Sequence, residues 1–141
     1  MAVKKTKKIK KLFRPLFLSG LIVFADLLFQ NYFRILNVGL VNSGISFGVT
    51  LSQGGFYSVT PVLLLLGVVG YSFYKSRELD VYLLCMVIGG VGNLIPRILY
   101  GNVWDYINIA QLGLWINLSD VLISISMISY ILKANGSKNY I

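Results

Sequence analysis

The sequence predicts an all-α membrane protein with four transmembrane helices and a small extended, β-like outer segment between the first and second helices. Of its 141 residues, 56% are apolar and the mean hydropathy is +0.73, which leaves too little polar surface to cover a soluble globule. Since a spanning helix takes about 20 residues, a chain of this length has room for about four helices and for no separate soluble domain.

The first apolar run covers residues 16–33 and carries Asp26 as its only formal charge, so it predicts a first spanning helix. A basic stretch followed by an apolar run also describes a secretory signal peptide. An acid inside the run and the lack of a convincing small-residue cleavage site predict that the segment is retained. From residue 35 to residue 53 the chain turns to Asn, Gly, Ser and Thr among apolar residues, which favours short extended pieces and turns outside the hydrocarbon.

Three further apolar runs predict the remaining helices, at residues 56–74, 81–95 and about 114–132. Pro96 follows the third run. Because proline lacks an amide hydrogen and disfavours helix in the residue before it, we expect this helix to end near residue 95, with a kinked helix continuing to Leu99 as the alternative.

Basic residues set the predicted orientation. Seven of the thirteen Lys and Arg lie in the first 14 residues, and most of the others lie in the second connection and near the C-terminus. The positive-inside rule therefore places two tails, residues 1–15 and 134–141, in the cytoplasm on either side of a four-helix domain of residues 16–133. The outer face then holds residues 34–56 and 97–113. Because most of the +8 net charge belongs to a tail, it does not indicate a nucleic-acid groove.

The rare residue types exclude several chemistries. With no His and a single cysteine, Cys85, the chain can form no Ser-His or Cys-His nucleophile, no histidine-ligated zinc site and no internal disulfide. We therefore predict no metal and no cofactor. What remains is carboxylate, lysine or hydroxyl chemistry, or no chemistry.

Three of the five acids, Asp26, Asp105 and Asp120, fall at one predicted depth near the outer membrane boundary. An ionised carboxylate at membrane depth costs about 2.5–3.5 kcal/mol, so such residues are functional candidates. Two adjacent carboxylates share a proton, and together they can activate water and polarise a carbonyl, as in aspartic proteases. The structural alternatives are that Asp120 caps a helix or that an acid pairs with Arg34 or Arg97.

Three polar elements carry a family resemblance. They read NSGISF at 42–47, GNLIPRILYGNVWDY at 92–106 and INLSD at 116–120. Over about residues 16–133 the chain resembles the lipoprotein signal peptidase (signal peptidase II) family, whose elements are N-x-G-x-A-F, G-N-x-x-D-R-x-x-x-G-x-V-x-D-[FY] and F-N-x-A-D. The long central element keeps its spacing without a gap.

The resemblance implies roles for individual residues. Asp105 and Asp120 match the family's catalytic pair, and Asp26 matches a further acid that supports structure more than catalysis. The resemblance also implies positions that brace the pair, hold the substrate backbone or lie beside the cleft. These are Asn42, Asn93, Arg97 and Asn117, with Gly44 and Phe47 in the outer segment.

Several positions depart from the family pattern. Pro96 replaces the acid that normally precedes Arg97, Gln30 stands where the family usually has Lys, and Ser46 and Ser119 replace Ala. We predict that the enzyme stays active and that the Arg97 guanidinium turns towards one of the three clustered acids.

The resemblance thus implies an intramembrane aspartic endopeptidase that cleaves signal peptides from lipid-modified bacterial prolipoproteins before the diacylglyceryl-cysteine. The expected protein is a monomer in the bacterial cytoplasmic membrane, surrounded by membrane lipid, with its active site near the outer face and no nucleic-acid partner. The alternatives are a non-catalytic relative that binds lipoprotein or lipid, and a small four-helix proton- or cation-coupled transporter that uses a membrane acid such as Asp26.

Overall fold

Helices make up most of the computed structural model, which describes residues 2–43, 56–76 and 79–136. Within these ranges the helices are α1 (Ala2–Ile35), α2 (Phe56–Ser76), α3 (Val81–Tyr100) and α4 (Leu118–Gly136). The predicted site residues Gly44 and Phe47, like Ser46, lie outside the described residues.

Three helices in the described part of the chain are long and apolar enough to cross a membrane. They are α3, α4 and the Leu12–Ile35 part of α1. The apolar stretch described in α2, Leu63–Lys75, is shorter than a span. The mostly helical architecture is therefore confirmed, whereas the count of four spanning helices stays a prediction.

Helix α3 lies at the centre, since it packs against α1, α2 and α4. Two of its glycines permit the close approach of α4. A Cβ atom at Gly92 would overlap the Ser119 hydroxyl, and a Cβ at Gly89 would lie 2.8 Å from Cγ1 of Ile123. Small residues at these two positions therefore serve the packing of α3 against α4, as is common between membrane helices.

Helix α1 is longer than the predicted residues 16–33, because it begins at Ala2 and includes the basic segment. Lysine has a good helix propensity, so the segment can continue the apolar helix without a break. At 1.5 Å per residue, 34 residues extend about 51 Å, well beyond the roughly 30 Å of a hydrocarbon core.

Helix α3 does not end near residue 95, the end that we expected, but continues through Pro96 to Tyr100, one residue beyond the alternative end at Leu99. The proline removes only one helical donor, the one that would reach the carbonyl of Gly92, and its ring is buried. The helix ends at Gly101, whose φ of 77° suits a left-handed cap and whose N–H donates to the carbonyl of Arg97.

Two small antiparallel sheets lie beyond the helix ends. In the first, β1 (Leu40–Asn42) pairs with β2 (Val103–Asp105), with Leu40 opposite Asp105. In the second, β3 (Ile107–Ile109) pairs with β4 (Leu114–Ile116). The extended piece predicted between the first two helices is thus present as β1, but the prediction missed the three strands contributed by the segment before α4.

Gly39 allows the chain before β1 to approach β2. Its φ is 126°, and a Cβ atom there would lie 2.5 Å from the carbonyl oxygen of Asp105 and 2.8 Å from Nε1 of Trp104. Only glycine fits this approach. The indole N–H of Trp104 donates to the carbonyl of Val38 at 2.8 Å, which fixes the same contact.

Candidate active site

Asp105 is the last residue of β2, and its side chain is 1% exposed. One carboxylate oxygen accepts a hydrogen bond from the Asn117 amide at 2.8 Å, and the other accepts one from the Asn42 amide at 2.9 Å. Strand β1 supplies Asn42, so the β1–β2 pairing brings this donor to Asp105.

Asp120 lies in the first turn of α4. Its Oδ2 accepts from the backbone N–H of Asn117 at 3.2 Å, and its own N–H donates to Oδ1 of Asn117 at 3.0 Å. This is a reciprocal capping box, so the capping role that the sequence offered as an alternative for Asp120 is present. The other oxygen, Oδ1, accepts from the Asn93 amide of α3 at 2.7 Å.

Two asparagine amides connect the two acids. Besides donating to Asp105, Nδ2 of Asn117 donates to Oδ1 of Asn93 at 3.0 Å, and Asn93 in turn donates to Asp120. Asn117 is fully buried and Asn93 nearly so. The amides are therefore held in one orientation, and they fix both carboxylates from α3 and from the residue that precedes α4.

Burial raises the pKa of Asp105 to about 6. The hydrogen bonds from Asn42 and Asn117 act in the opposite direction because they favour the ionised form, whereas the neighbouring charge of Asp120 raises the pKa further. A carboxyl group that titrates near neutral pH suits proton transfer.

Arg97 lies one turn after Asn93 on α3, and its Nη1 donates to the carbonyl of Asn93 at 3.4 Å. Its guanidinium is close enough to interact electrostatically with both Asp105 and Asp120. Arg34 is placed differently: it donates to Oδ1 of Asn102 at 2.7 Å and lies over the Tyr100 ring at 4.3 Å. Among the described residues, the Arg34 guanidinium thus bonds to Asn102 and not to Asp26, Asp105 or Asp120, in contrast to the alternative that one of these acids pairs with Arg34.

Asp26 is fully buried beside the other two acids and accepts four hydrogen bonds. The donors to Oδ1 are the Tyr106 hydroxyl at 2.8 Å and the backbone N–H of Leu118 at 3.0 Å. The donors to Oδ2 are the Gln30 amide at 2.8 Å and the Ser119 hydroxyl at 2.6 Å. Four donors match the roughly four lone-pair sites of a carboxylate.

The sequence did not predict that Gln30, Tyr106 and Ser119 surround Asp26. Gln30 follows Asp26 by four residues, a spacing that places both on one helix face and that could have indicated the contact. Tyr106 is 80 residues away in the chain, and Ser119 is 93 away. No local pattern reveals contacts at that separation.

Within the described ranges no three His, Cys, Asp or Glu side chains are arranged to hold a metal ion. Asp105 and Asp120, by contrast, each accept two N–H donors, one on each oxygen. Each carboxylate therefore keeps lone pairs that could receive water or a substrate proton.

Comparison with known proteins yields a family match over most of the chain. A family model for signal peptidase (SPase) II matches residues 6–135. The chain is 28% identical over 95 residues to a lipoprotein signal peptidase from Thermodesulfovibrio yellowstonii, an alignment that covers 65% of each chain. It is 29% identical over 102 residues to one from Anaplasma phagocytophilum, covering 67% of this chain and 65% of that relative. The aligned region thus spans slightly under two thirds of these relatives.

Two solved structures share the fold. Both are described as a bacterial membrane enzyme. The first has a TM-score of 0.64 and is 22% identical in sequence. The alignment covers 85% of this chain and 88% of the chain in that structure. The second has a TM-score of 0.58 and is 23% identical. Its alignment covers 82% of this chain and 91% of the chain in that structure.

Proposed function

The chain belongs to the signal peptidase II family, and from this premise we propose that it is an aspartic endopeptidase that removes signal peptides from lipid-modified bacterial prolipoproteins. The catalytic residues in this proposal are Asp105 and Asp120, which we call the dyad. The observation that carries it is the count of donors among the described residues. There each dyad carboxylate accepts two hydrogen bonds and keeps lone pairs for water or substrate, whereas Asp26 accepts four.

The proposed reaction needs one ionised and one protonated carboxyl group. The ionised member takes a proton from water as the water oxygen attacks the scissile carbonyl carbon. The protonated member then gives its proton to the amide nitrogen as the C–N bond breaks. The pair titrates as a unit, so the two apparent pKa values belong to the dyad.

The remaining polar residues have supporting roles. Asn42, Asn93 and Asn117 hold the carboxylates, and the positive charge of Arg97 offsets the negative charge of the dyad. By family resemblance Gly44 and Phe47 lie beside the substrate cleft. The cut falls before the diacylglyceryl-cysteine, with its acyl chains in the bilayer.

The proposal includes a topology with four spans, cytoplasmic termini and a dyad near the outer face of the bacterial inner membrane. The distribution of basic residues supports it. A transporter that uses Asp26 is not favoured, because a carboxylate with four donors and no exposed surface has no site left for a cation.

The test is a gel-shift cleavage assay with purified protein in detergent and a diacylglyceryl-modified prolipoprotein. We expect cleavage by the wild type, none by Asp105→Asn or Asp120→Asn, and reduced stability with some activity for Asp26→Asn. The matched control is Asp80→Asn, which removes an acid that caps α3 away from the dyad and leaves a residue that can still cap.

A folded wild-type protein that binds this substrate without cutting it would contradict the proposal and favour the non-catalytic relative. Loss of activity in Asp26→Asn alone, with both dyad variants active, would refute the assignment of the dyad.

A further inference from the structure

The Gln30 side chain makes two hydrogen bonds, one as a donor and one as an acceptor, and a charged side chain at this position could not make both. Its Nε2 donates to Oδ2 of Asp26 at 2.8 Å, and its Oε1 accepts from the backbone N–H of Trp104 at 3.2 Å. Lysine can only donate and glutamate, when ionised, can only accept, whereas a glutamine amide does both. The side chain is 2% exposed, so neither bond is replaced by water at low cost.

These bonds secure both sides of Asp105. Trp104, which precedes it, is held through its backbone N–H by Gln30, and Tyr106, which follows it, is held through its hydroxyl by Asp26. The Tyr106 ring is stacked on Phe33 with centroids 5.0 Å apart, which fixes the direction of the hydroxyl.

The same acid secures the chain before Asp120. Asp26 accepts from the backbone N–H of Leu118 at 3.0 Å and from the Ser119 hydroxyl at 2.6 Å. Consecutive Cα atoms are 3.8 Å apart, so a displacement of Ser119 or Tyr106 is passed directly to a dyad residue.

We propose that Gln30, acting through Asp26, is a positioning residue that sets the placement of the dyad carboxylates relative to each other. The inference rests on the proposed peptidase function. Neither Gln30 nor Asp26 touches the substrate in this proposal. They hold four points that flank the two acids: the Trp104 N–H, the Tyr106 hydroxyl, the Leu118 N–H and the Ser119 hydroxyl.

Three substitutions separate the two bonds of Gln30. Gln30→Lys keeps a donor for Asp26 and loses the acceptor for the Trp104 N–H. Gln30→Glu keeps that acceptor, but its negative charge repels Asp26. Gln30→Met keeps the size of the side chain and loses both hydrogen bonds. The control is Asn31→Met, which places the same side chain at an exposed position of the same helix.

We expect kcat to fall about tenfold in Gln30→Lys and up to about a hundredfold in Gln30→Glu and Gln30→Met, since a misplacement of about 1 Å can cost that much. KM should change by less than about twofold. The apparent pKa values of the kcat profile should also move, because the dyad environment changes. Asn31→Met should match the wild type in all three quantities.

A purely structural role would lower the thermal midpoint but leave kcat per folded molecule and the pH profile unchanged. That result, or a Gln30→Lys enzyme with wild-type kcat, overturns the inference.

A readout independent of turnover separates this inference from the proposed function. In an infrared pH titration, the carboxyl band of Asp105 is identified by its loss in Asp105→Asn. Its midpoint should rise in Gln30→Met, because a displaced strand weakens the amide bonds that favour the ionised form, and stay in place in Asn31→Met. If the wild type does not cleave but the midpoint moves, the proposed function fails and the positioning stands. A midpoint that stays fixed refutes the positioning.

Discussion

At the scale of single residues, the hydrogen bond from Asn42 to Asp105 gives a pH prediction. Burial raises the pKa of Asp105 from 3.8 to about 6, and the Asn42 amide partly opposes that rise. Removing the amide in Asn42→Ala should raise the pKa of Asp105 further, because a hydrogen bond that favours the ionised carboxylate is lost. Whichever limb of the kcat/KM profile reports Asp105 should therefore move to higher pH.

The comparison is between kcat/KM profiles of the wild type, Asn42→Ala and Ser43→Ala, whose exposed side chain follows Asn42. A limb that moves to lower pH in Asn42→Ala would show that the amide does not stabilise the ionised carboxylate.

The raised pKa of Asp105 also makes the stability of the folded protein decrease as the pH rises. Because the folded-state pKa lies above the ordinary value, Asp105 stabilises the fold in its neutral form. That contribution is complete below about pH 4 and is lost as the pH rises through about 6.

At this scale the motif spacing predicts Asp105, Asp120 and their asparagine neighbours as site residues. The structure joins them by hydrogen bonds, while their roles stay a prediction. Of the side chains that donate to Asp26, Gln30 is close enough in the chain for spacing to indicate the contact, whereas Tyr106 and Ser119 are too distant. Gln30 and Trp104 are 74 residues apart in the chain, so their contact follows from how β2 lies against α1. Whether Asp120 caps a helix or carries chemistry was left open by the residues alone, and the structure shows the cap.

At the scale of elements, the approach of α3 and α4 predicts the effect of a single methyl group. A Cβ at Gly92 would meet the Ser119 hydroxyl and the Val23 side chain. Gly92→Ala should therefore separate the two helices and weaken the Ser119 bond to Asp26, with a cost of about 1–3 kcal/mol and reduced cleavage. Thermal unfolding in detergent and the cleavage assay measure the two effects.

The control for this change is Gly70→Ala on α2, where an added Cβ meets nothing within 4 Å. It should leave activity unchanged and stability unchanged or higher, since alanine is the better helix former. Equal losses in both variants would show that the effect is not specific to the α3–α4 contact.

Pro96 gives the second prediction at this scale. It replaces the family acid within α3 and is fully buried. We expect the wild type to be active and Arg97→Ala to be more damaging than Pro96→Asp, because the guanidinium is the positive charge that interacts with both dyad acids. Cleavage is compared at matched amounts of folded protein. An inactive wild type that Pro96→Asp restores would identify the proline as the cause of a disabled site.

The helices were predictable as elements because their apolar runs are long, but their ends were not. A proline ended the predicted third helix, while the buried packing of α3 carries the real helix one turn further. Strands of three residues, such as β2 and β4, are too short for alternation to show, and their pairing depends on chain segments far apart.

At the scale of the whole molecule, the basic residues predict cytoplasmic termini and an outer dyad. Single cysteines are introduced by Arg77→Cys or Ser52→Cys in a Cys85→Ala background, which removes the buried native thiol. A membrane-impermeant maleimide added to intact cells should label position 52 and not position 77. Labelling of position 77 alone would reverse the orientation and place the dyad on the cytoplasmic side.

Composition and length predicted a membrane protein of mostly helical architecture, since both depend on summed hydropathy. The arrangement of the helices could not be read in this way. An apolar run does not indicate that α3 occupies the centre of the helices. The central position depends on contacts between distant residues, such as those of Gly89 and Gly92 with α4.

The Ser119 hydroxyl, which fits against Gly92 and donates to Asp26, constrains how this sequence can change over evolutionary time. The family pattern has Ala at this position and Lys at position 30, where this chain has two neutral donors for the same carboxylate oxygen. Losing either donor alone leaves a buried carboxylate short of a partner, at a cost of about 1–3 kcal/mol or more. Since Lys at position 30 would still donate to Asp26, the Ser119 hydroxyl is the donor whose loss needs compensation. A lineage that exchanges Ser119 for Ala is therefore expected to acquire a charged donor such as Lys at position 30.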